Sequence, residues 1–243
     1  MKIRIKIEYD GSNYSGWQLQ SGQDSIQARL EAALERILVR AVRVHGAGRT
    51  DAGVHALGQV AAFELPRPFE PNELKRAMNA LLPPDIAIIE AAATSDDFDP
   101  RRDAHLRAYQ YRVLNQDRRS AFDFRYAWLV SKPLDLGAMN AAARRFIGEH
   151  DFTSFRSLGS DETTTLRRVY LSEWCRDGKR LLYRVEASSF MRHMVRTMVA
   201  TMVDAGRGKI APSQVTALLQ ARDRALAPAS APPCGLYLVE VRY

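Results

Sequence analysis

Lys2-Ile3-Arg4-Ile5-Lys6-Ile7-Glu8-Tyr9 opens the chain with charged and apolar residues in strict alternation. Successive side chains of a strand point to opposite faces, so this stretch reads as a half-buried β-strand with Ile3, Ile5, Ile7 and Tyr9 turned inward. Asp10-Gly11-Ser12-Asn13 then breaks it with turn-forming residues. The period changes next. Ile26, Leu30, Leu34, Ile37 and Leu38 share one face of a helix over 25–40, and Asp24 with Gln27 three residues on resembles a capping box. Val42 and Val44 suggest a short strand, and 59–65 another. Glu70-Pro71 opens a second helix carrying Leu74, Met78 and Leu81, with Pro71 at its first position, and 85–93 is apolar enough for a buried strand. The order β-α-β-β-α-β predicts an α+β, ferredoxin-like half with an antiparallel sheet.

Beyond this half the periodicity is less regular. Strands are expected near 106–114, 126–130, 168–176, 180–187 and 236–243, and helices near 136–147, 190–205 and 212–220. The charge-dense stretch 95–103 is the expected junction, dividing an N-terminal α+β half, 1–103, from a C-terminal α+β half, 104–243. Two such halves with their sheets brought together would leave a central cleft, where ligand sites commonly lie.

At 243 residues the chain is long enough for one large domain or two small ones, and for a core that needs neither disulfide nor metal. Its 46% hydrophobic and 26% charged residues are globular proportions and argue against disorder. Cys175 and Cys234 are the only cysteines and form no CxxC pair, which suits a reducing, cytoplasmic setting. The first residues lack the apolar core of a signal peptide, and no apolar run of membrane-spanning length follows, so a soluble protein with no membrane partner is expected. The formal net charge is +7, which favours a polyanionic partner because neutralised phosphates release counterions. Most of the positive charge is arginine, suited to bidentate phosphate contacts and to stacking on bases. The pairs Arg101-Arg102, Arg118-Arg119, Arg144-Arg145 and Arg167-Arg168 are candidate phosphate contacts.

The stretch richest in chemistry is Gly46-Ala47-Gly48-Arg49-Thr50-Asp51-Ala52-Gly53-Val54-His55-Ala56. Its glycines interrupt a strand-to-strand connection and permit close approach of backbone to a ligand. Arg49 and Asp51 alternate, so in an extended loop both can point to one side, and a cation near Asp51 would favour its ionised form. The glycine spacing is not that of a dinucleotide-binding loop, and no Gly-Lys-Ser/Thr follows, so a phosphate loop is excluded. His45, Asp51 and His55 lack metal-ligand spacing, and no metal is expected. From the local pattern alone two readings stand: a catalytic carboxylate, or a turn aspartate accepting backbone N–H groups.

Gly48-Arg49-Thr50-Asp51-Ala52-Gly53-Val54-His55-Ala56 resembles the active-site signature of the bacterial tRNA pseudouridine synthase A family, the enzymes of tRNA positions 38, 39 and 40. Tyr9-Asp10-Gly11, Tyr14-Ser15-Gly16-Trp17-Gln18, His150 to Phe155, Phe190 to Arg196, and Ala231 to Leu238 resemble further patterns of that family in the same order. The resemblance implies a pseudouridine synthase fold of two α/β halves around one cleft, a homodimer, and tRNA, through its anticodon arm, as substrate and partner. It implies that Asp51 is the catalytic aspartate, that Tyr109 stacks on the target uracil, and that Arg196 pairs with the aspartate. It further implies that Arg49 helps to hold the flipped nucleotide and that Leu236 lines the uracil pocket. No cofactor is implied. Gln110 and Cys234 are small departures beside these positions.

The residue types suit that reaction. Cleaving an N-glycosidic bond develops cationic character at C1′, which one carboxylate stabilises or attacks. Glycosidases need a second acid because an alkoxide leaves, whereas uracil leaves as a delocalised anion. Attack at C1′, addition to C6 and removal of a ribose proton all remain open as the role of Asp51, and Tyr109 or a water is a candidate for taking the C5 proton. Arg192 and Arg196 fall one turn apart on an apolar helix whose methionines belong to the core, and a buried arginine there requires a partner; the expected partner of Arg196 is Asp51. Two other functions fit parts of the pattern. A noncatalytic RNA-binding module shares the β-α-β-β-α-β topology, but its basic-Gly-aromatic pattern is missing. A nucleotide-dependent enzyme would need a phosphate loop, which is also missing.

Overall fold

The computed structural model describes residues 1–157, 159 and 164–243. The chain divides into two compact units, Met1–His105 with Tyr237–Tyr243, and Leu106–Leu236.

In the first unit the alternating opening forms strand β1, Lys2–Tyr9, with Ile3, Ile5, Ile7 and Tyr9 buried as the pattern requires. Helix α1 covers Ile26–Leu38 and buries Ile26, Leu30, Leu34 and Leu38. Its cap is Ser25, whose hydroxyl accepts from the Ala28 N–H at 3.3 Å, not the expected pair of Asp24 and Gln27. Asp24 instead holds Arg29. Gln27 is 3% exposed and serves as a buried polar staple: its oxygen accepts from Leu19 N at 2.9 Å, and its nitrogen donates to Val44 O at 3.0 Å. Glu31 takes the Val44 N–H. Side chains of α1 thus satisfy the backbone of Val44, and the expected strand at 42–44 gives way to a two-residue strand β2, His45–Gly46.

Strand β3, His55–Glu64, pairs antiparallel with β1 along nearly its whole length. Helix α2, Pro71–Leu81, starts with Pro71 after a Glu70 cap. Strand β4, Ile86–Thr94, lies on the free side of β1. It is an edge strand in which only Ile86 and Ile88 are buried, not the fully buried strand expected; Asn79 of α2 bonds both the N–H and the C=O of Ile88.

The sheet of this unit runs β4-β1-β3, and the outer side of β3 is shared. β2 pairs with Ala61 and Ala62, and the last strand of the chain, β10 (Leu236–Arg242), pairs parallel with His55 and Ala56. Local periodicity places 104–243 in one half. Tyr237–Tyr243 instead joins the first unit, a non-local parallel pairing that no local pattern signals.

The second unit holds strands β5 (Leu106–Asn115), β6 (Trp128–Val130), β7 (Gly148–Asp151), β8 (Leu166–Asp177) and β9 (Arg180–Ala187). Its helices are α3 (Leu136–Ala143), α4 (Met194–Gly206) and α5 (Gln214–Ala221). β5, β9, β8 and β7 pair antiparallel in that order, and β6 adds to β5 in parallel. The succession β5-α3-β8-β9-α4, with sheet order β5-β9-β8, repeats β1-α1-β2-β3-α2 with order β1-β3-β2. The two units therefore share a topology. α4 begins four residues later than expected because His193 sits at φ 64, outside the helical region, so Arg192 precedes the helix and shares no face with Arg196. Met194, Met198 and Met202 are fully buried, as core methionines.

Candidate active site

The Gly-rich loop between β2 and β3 is fixed at almost every residue. Ala47 N–H donates to Val60 O at 2.8 Å, and the buried Gln59 amide donates to Gly48 O at 2.8 Å. The Thr50 carbonyl accepts from Trp17 N at 3.0 Å, and Gly53 N–H donates to Tyr14 O at 3.3 Å. Asp51 O accepts from Val54 N at 3.1 Å, closing a turn in which Gly53 takes φ 75, a value that glycine adopts without steric cost. Thr50 is buried, its hydroxyl 2.8 Å from the phenolic oxygen of Tyr9. Arg49 on one side of it is exposed and Asp51 on the other is half-buried. Backbone anchored this densely holds a side chain in a fixed place, which is what a reacting group needs.

The opening motifs explain themselves in this setting. Gly16 lies at φ 96, and a Cβ there would meet the Thr50 carbonyl at 2.5 Å. A Cβ on Gly11 would run into the Val54 carbonyl, and one on Gly46 would meet the Trp17 indole at 2.6 Å. These are places where backbone or ring must approach backbone, and only hydrogen fits. Tyr9 is buried, which pushes its phenol up to about 12, against the opposing pull of hydrogen bonds to Thr50 and Gln59. Tyr14 donates to Asp85 at 2.6 Å, and its phenol is raised, first by burial and then by that carboxylate. His55 is buried too: its Nδ1 lies 3.1 Å from Gly11 N and 3.0 Å from Asp10 Oδ1, and its ring stacks on Tyr237 at 4.7 Å. The sequence places Tyr9 inward on a strand, and Tyr9 and Gly16 in motifs that resemble the family's, but gives neither them nor Gln59 a part in holding this loop. The signal was present in the short spacing of Tyr9-Asp10-Gly11 and Tyr14-Ser15-Gly16-Trp17, which brings two tyrosines, a tryptophan and two glycines into one loop.

The other expected site residues fall in the second unit. Tyr109 of β5 is 8% exposed, opposite Val185 of β9, and sets its ring edge-on to Phe190 at 5.1 Å. Arg196 of α4 is half-buried, and its Nε donates to Ala231 O at 2.7 Å while Ala231 N–H returns a bond to Arg196 O. One residue on, Pro232 O accepts from the Tyr111 hydroxyl at 2.7 Å. A Cβ on Gly235 would meet the Tyr111 ring and the Arg112 carbonyl at 2.7 Å. The closing motif Ala231 to Leu236 is thereby tied to both α4 and β5, and Leu236, 6% exposed, ends it. Burial pushes the Cys234 thiol up within this segment.

The comparisons with known proteins bear on both units. The family model for tRNA pseudouridine synthase matches residues 5–102 and 142–243. The chain belongs to the tRNA pseudouridine synthase family. The tRNA pseudouridine synthase A of Geotalea uraniireducens (strain Rf4) is 43% identical, with 100% of this chain and 99% of the relative covered. That of Geobacter sulfurreducens is 45% identical, with 99% of each covered, and that of Agrobacterium fabrum is 41% identical over 100% of this chain and 92% of its own length. A solved chain from a Cbf5-Nop10-Gar1 complex aligns with 98% of this chain at a TM-score of 0.34 and 14% identity, covering 58% of its own length.

Within this tRNA pseudouridine synthase family member, the candidate phosphate contacts separate. Arg101, Arg102, Arg118, Arg119, Arg144, Arg145 and Arg168 are exposed. Arg167 is not: it is 9% exposed, and its Nη1 donates to the carbonyls of Thr164 and Leu166. These bonds fasten the start of β8. Among the described residues no helix is long and apolar enough to cross a membrane.

Proposed function

We propose that this enzyme isomerises uridine to pseudouridine at positions 38, 39 and 40 in the anticodon arm of tRNA, with Asp51 as the catalytic carboxylate. What carries the reading is the loop itself: backbone fixed on both sides of a partly exposed aspartate, within a chain of this family.

The target nucleotide leaves its stack before its glycosidic bond can be reached, at a cost of a few kcal/mol. Tyr109 supplies an aromatic face for the uracil, a contact that contributes roughly 1–3 kcal/mol. Leu236 lines the base pocket, and Arg49 holds the flipped nucleotide through its phosphates. Arg196 is proposed to pair with the Asp51 carboxylate in a two-pronged contact that a lysine cannot reproduce. The N1–C1′ bond breaks, with the electron pair leaving on uracil, and Asp51 compensates the charge that develops on the sugar. Uracil turns in place, C5 bonds to C1′, C5 loses its proton and N1 gains one. Since the leaving uracil delocalises its own charge, the route calls for neither metal nor cofactor. The protein is proposed to act in the cytoplasm, where its substrate resides, and as a homodimer, as the family resemblance implies.

Tritium release from tRNA labelled at uridine C5 tests the assignment. Asp51→Asn and Asp51→Ala are expected to abolish release while tRNA affinity stays within a few-fold of the parent. Undiminished release by either variant would remove Asp51 from the chemistry. A wild-type protein that binds tRNA and releases no tritium would be a binding module, and the proposal would fail as a whole.

A further inference from the structure

Between β5 and β6 the chain makes a turn-rich excursion that the family model leaves unmatched, since its two segments end at 102 and resume at 142. Two phenylalanines stand at its surface: Phe122 is 91% and Phe124 63% exposed. A phenylalanine left in water forgoes the burial that makes aromatic residues useful, and two neighbours so placed mark a surface that something covers. The excursion is held in shape. Asp123 accepts from the Ser120 hydroxyl at 2.9 Å, the Ser120 oxygen accepts from Asp123 N, and the Asp123 carbonyl accepts from Tyr126 N and Ala127 N. The rings are therefore presented by an ordered turn.

The charges around them select the occupant. Arg118 and Arg119 are exposed just before the rings, and the Arg125 guanidinium lies 5.3 Å from the Phe124 centroid. The acid between the rings, Asp123, is paired with Arg180 at 2.6 Å, and among the remaining exposed charges of this excursion Arg118, Arg119 and Arg125 outnumber Asp117, so its net charge is positive. A second copy of the chain would bring like charges face to face across a two-fold axis, and an apolar protein partner would set the exposed Arg118 and Arg119 against a surface that offers them no opposite charge. Aromatic faces interleaved with arginines suit a single-stranded nucleic acid, whose bases stack while its phosphates meet the cations.

We propose that Phe122 and Phe124, flanked by Arg118, Arg119 and Arg125, form a second RNA contact that stacks unpaired bases of the tRNA, separate from the target uridine. The proposal rests on the tRNA-modifying reading above and concerns binding alone. Both phenylalanines are solvent-exposed, so their replacement leaves the core intact.

The test uses the full-length chain and unmodified tRNA. Phe122→Ala with Phe124→Ala is expected to raise both the Kd for tRNA and the KM by about fivefold or more, the loss of one or two stacked bases, with kcat at saturating tRNA unchanged. Phe122→Trp keeps a stacking face: it should hold wild-type affinity, and its added emission should be quenched by tRNA. Arg125→Gln should reduce the slope of log Kd against log salt by about one. If the wild type forms pseudouridine and the double alanine variant shows unaltered Kd and KM, the contact does not exist. A variant whose association state changes in sedimentation while its tRNA affinity per protomer stays the same assigns the surface to a second protein chain and equally overturns the proposal. Loss of pseudouridine formation by the wild type would instead strike the catalytic reading.

Discussion

At the scale of single residues, Asp51 owes its placement to a neighbour. Thr50 is buried with its hydroxyl on Tyr9, so the residue before the carboxylate is fixed by a phenol that arrives from β1, far away in sequence. Tyr9→Phe removes that bond and leaves the Thr50 hydroxyl without its phenolic partner in a buried place, a loss of roughly 1–3 kcal/mol in stability. Turnover should fall several-fold with KM little altered, because the phenol positions the loop and does not meet the substrate. Thr50→Val should reproduce the loss, Thr50→Ser should largely restore wild-type turnover, and Tyr9→Phe with Thr50→Val should cost little more than either alone, since both delete the same contact. Full additivity of the two single changes in the measured free energies would refute the coupling. Glycines, a cation and an acid together in one loop mark Asp51 as a candidate in the sequence, a pattern that a turn aspartate would share and that the family resemblance alone separates from it. Tyr9 was not legible in its role, because it reads as the last inward residue of an amphipathic strand, and only the fold shows that its far end meets Thr50.

At the scale of elements, the sequence speaks clearly wherever one period dominates. β1 and α2 fall where alternation and Pro71 place them, and β9 spans the expected residues 180–187. Legibility fails where side chains compete for backbone groups. Gln27 and Glu31 take the carbonyl and the amide of Val44, respectively, which converts an expected strand into a bracket. The C-terminus of α1 carries a different conflict: Val39 closes the helix at φ 53 and ψ 34 while 90% exposed. A β-branched residue in the left-handed region is strained by about 1–2 kcal/mol, and here no burial offsets it. Asparagine tolerates this conformation better and adds none of the unfolded-state entropy of glycine. Val39→Asn should therefore stabilise the protein by about 0.5–1 kcal/mol, an increase of roughly 1–4 °C in Tm, with pseudouridine formation unchanged. A Tm that stays the same or drops would show that this turn carries no strain.

At the scale of the whole molecule, the division of the chain was half legible. The charge-dense stretch 95–103 marks the end of the first run of elements, but the return of Tyr237–Tyr243 to that unit follows from a parallel pairing with His55 and Ala56, reinforced by the stacking of His55 on Tyr237. Chain ends that close on a distant strand leave no trace in local periodicity, and the repeated topology of the two units is likewise a property of connection order. Stability at this scale is expected to depend on acid pH through carboxylates that fasten loops. Asp99, held by the backbone N–H groups of Arg102 and Arg101, is depressed below its ordinary 3.8. For Asp123 and Asp151 burial pulls upward, yet hydrogen bonds from Ser120 and Thr153 with the charges of Arg180 and Arg222 outweigh it, and both are lowered as well. A carboxyl whose folded pKa lies below its unfolded one contributes stability above the unfolded value and loses it as the pH falls through the folded value. The urea midpoint should thus stay level from neutral pH to about 5 and decline steeply below about 4. Asp151 carries the sharpest test, because it binds both the hydroxyl and the amide of Thr153 and pairs with Arg222. Asp151→Asn should be less stable than wild type at neutral pH and should approach it as the solution is acidified, since protonation deprives the parent of the same interactions. Two curves that run parallel from neutral pH down to about 2 would mean that Asp151 titrates alike in the folded and unfolded chains.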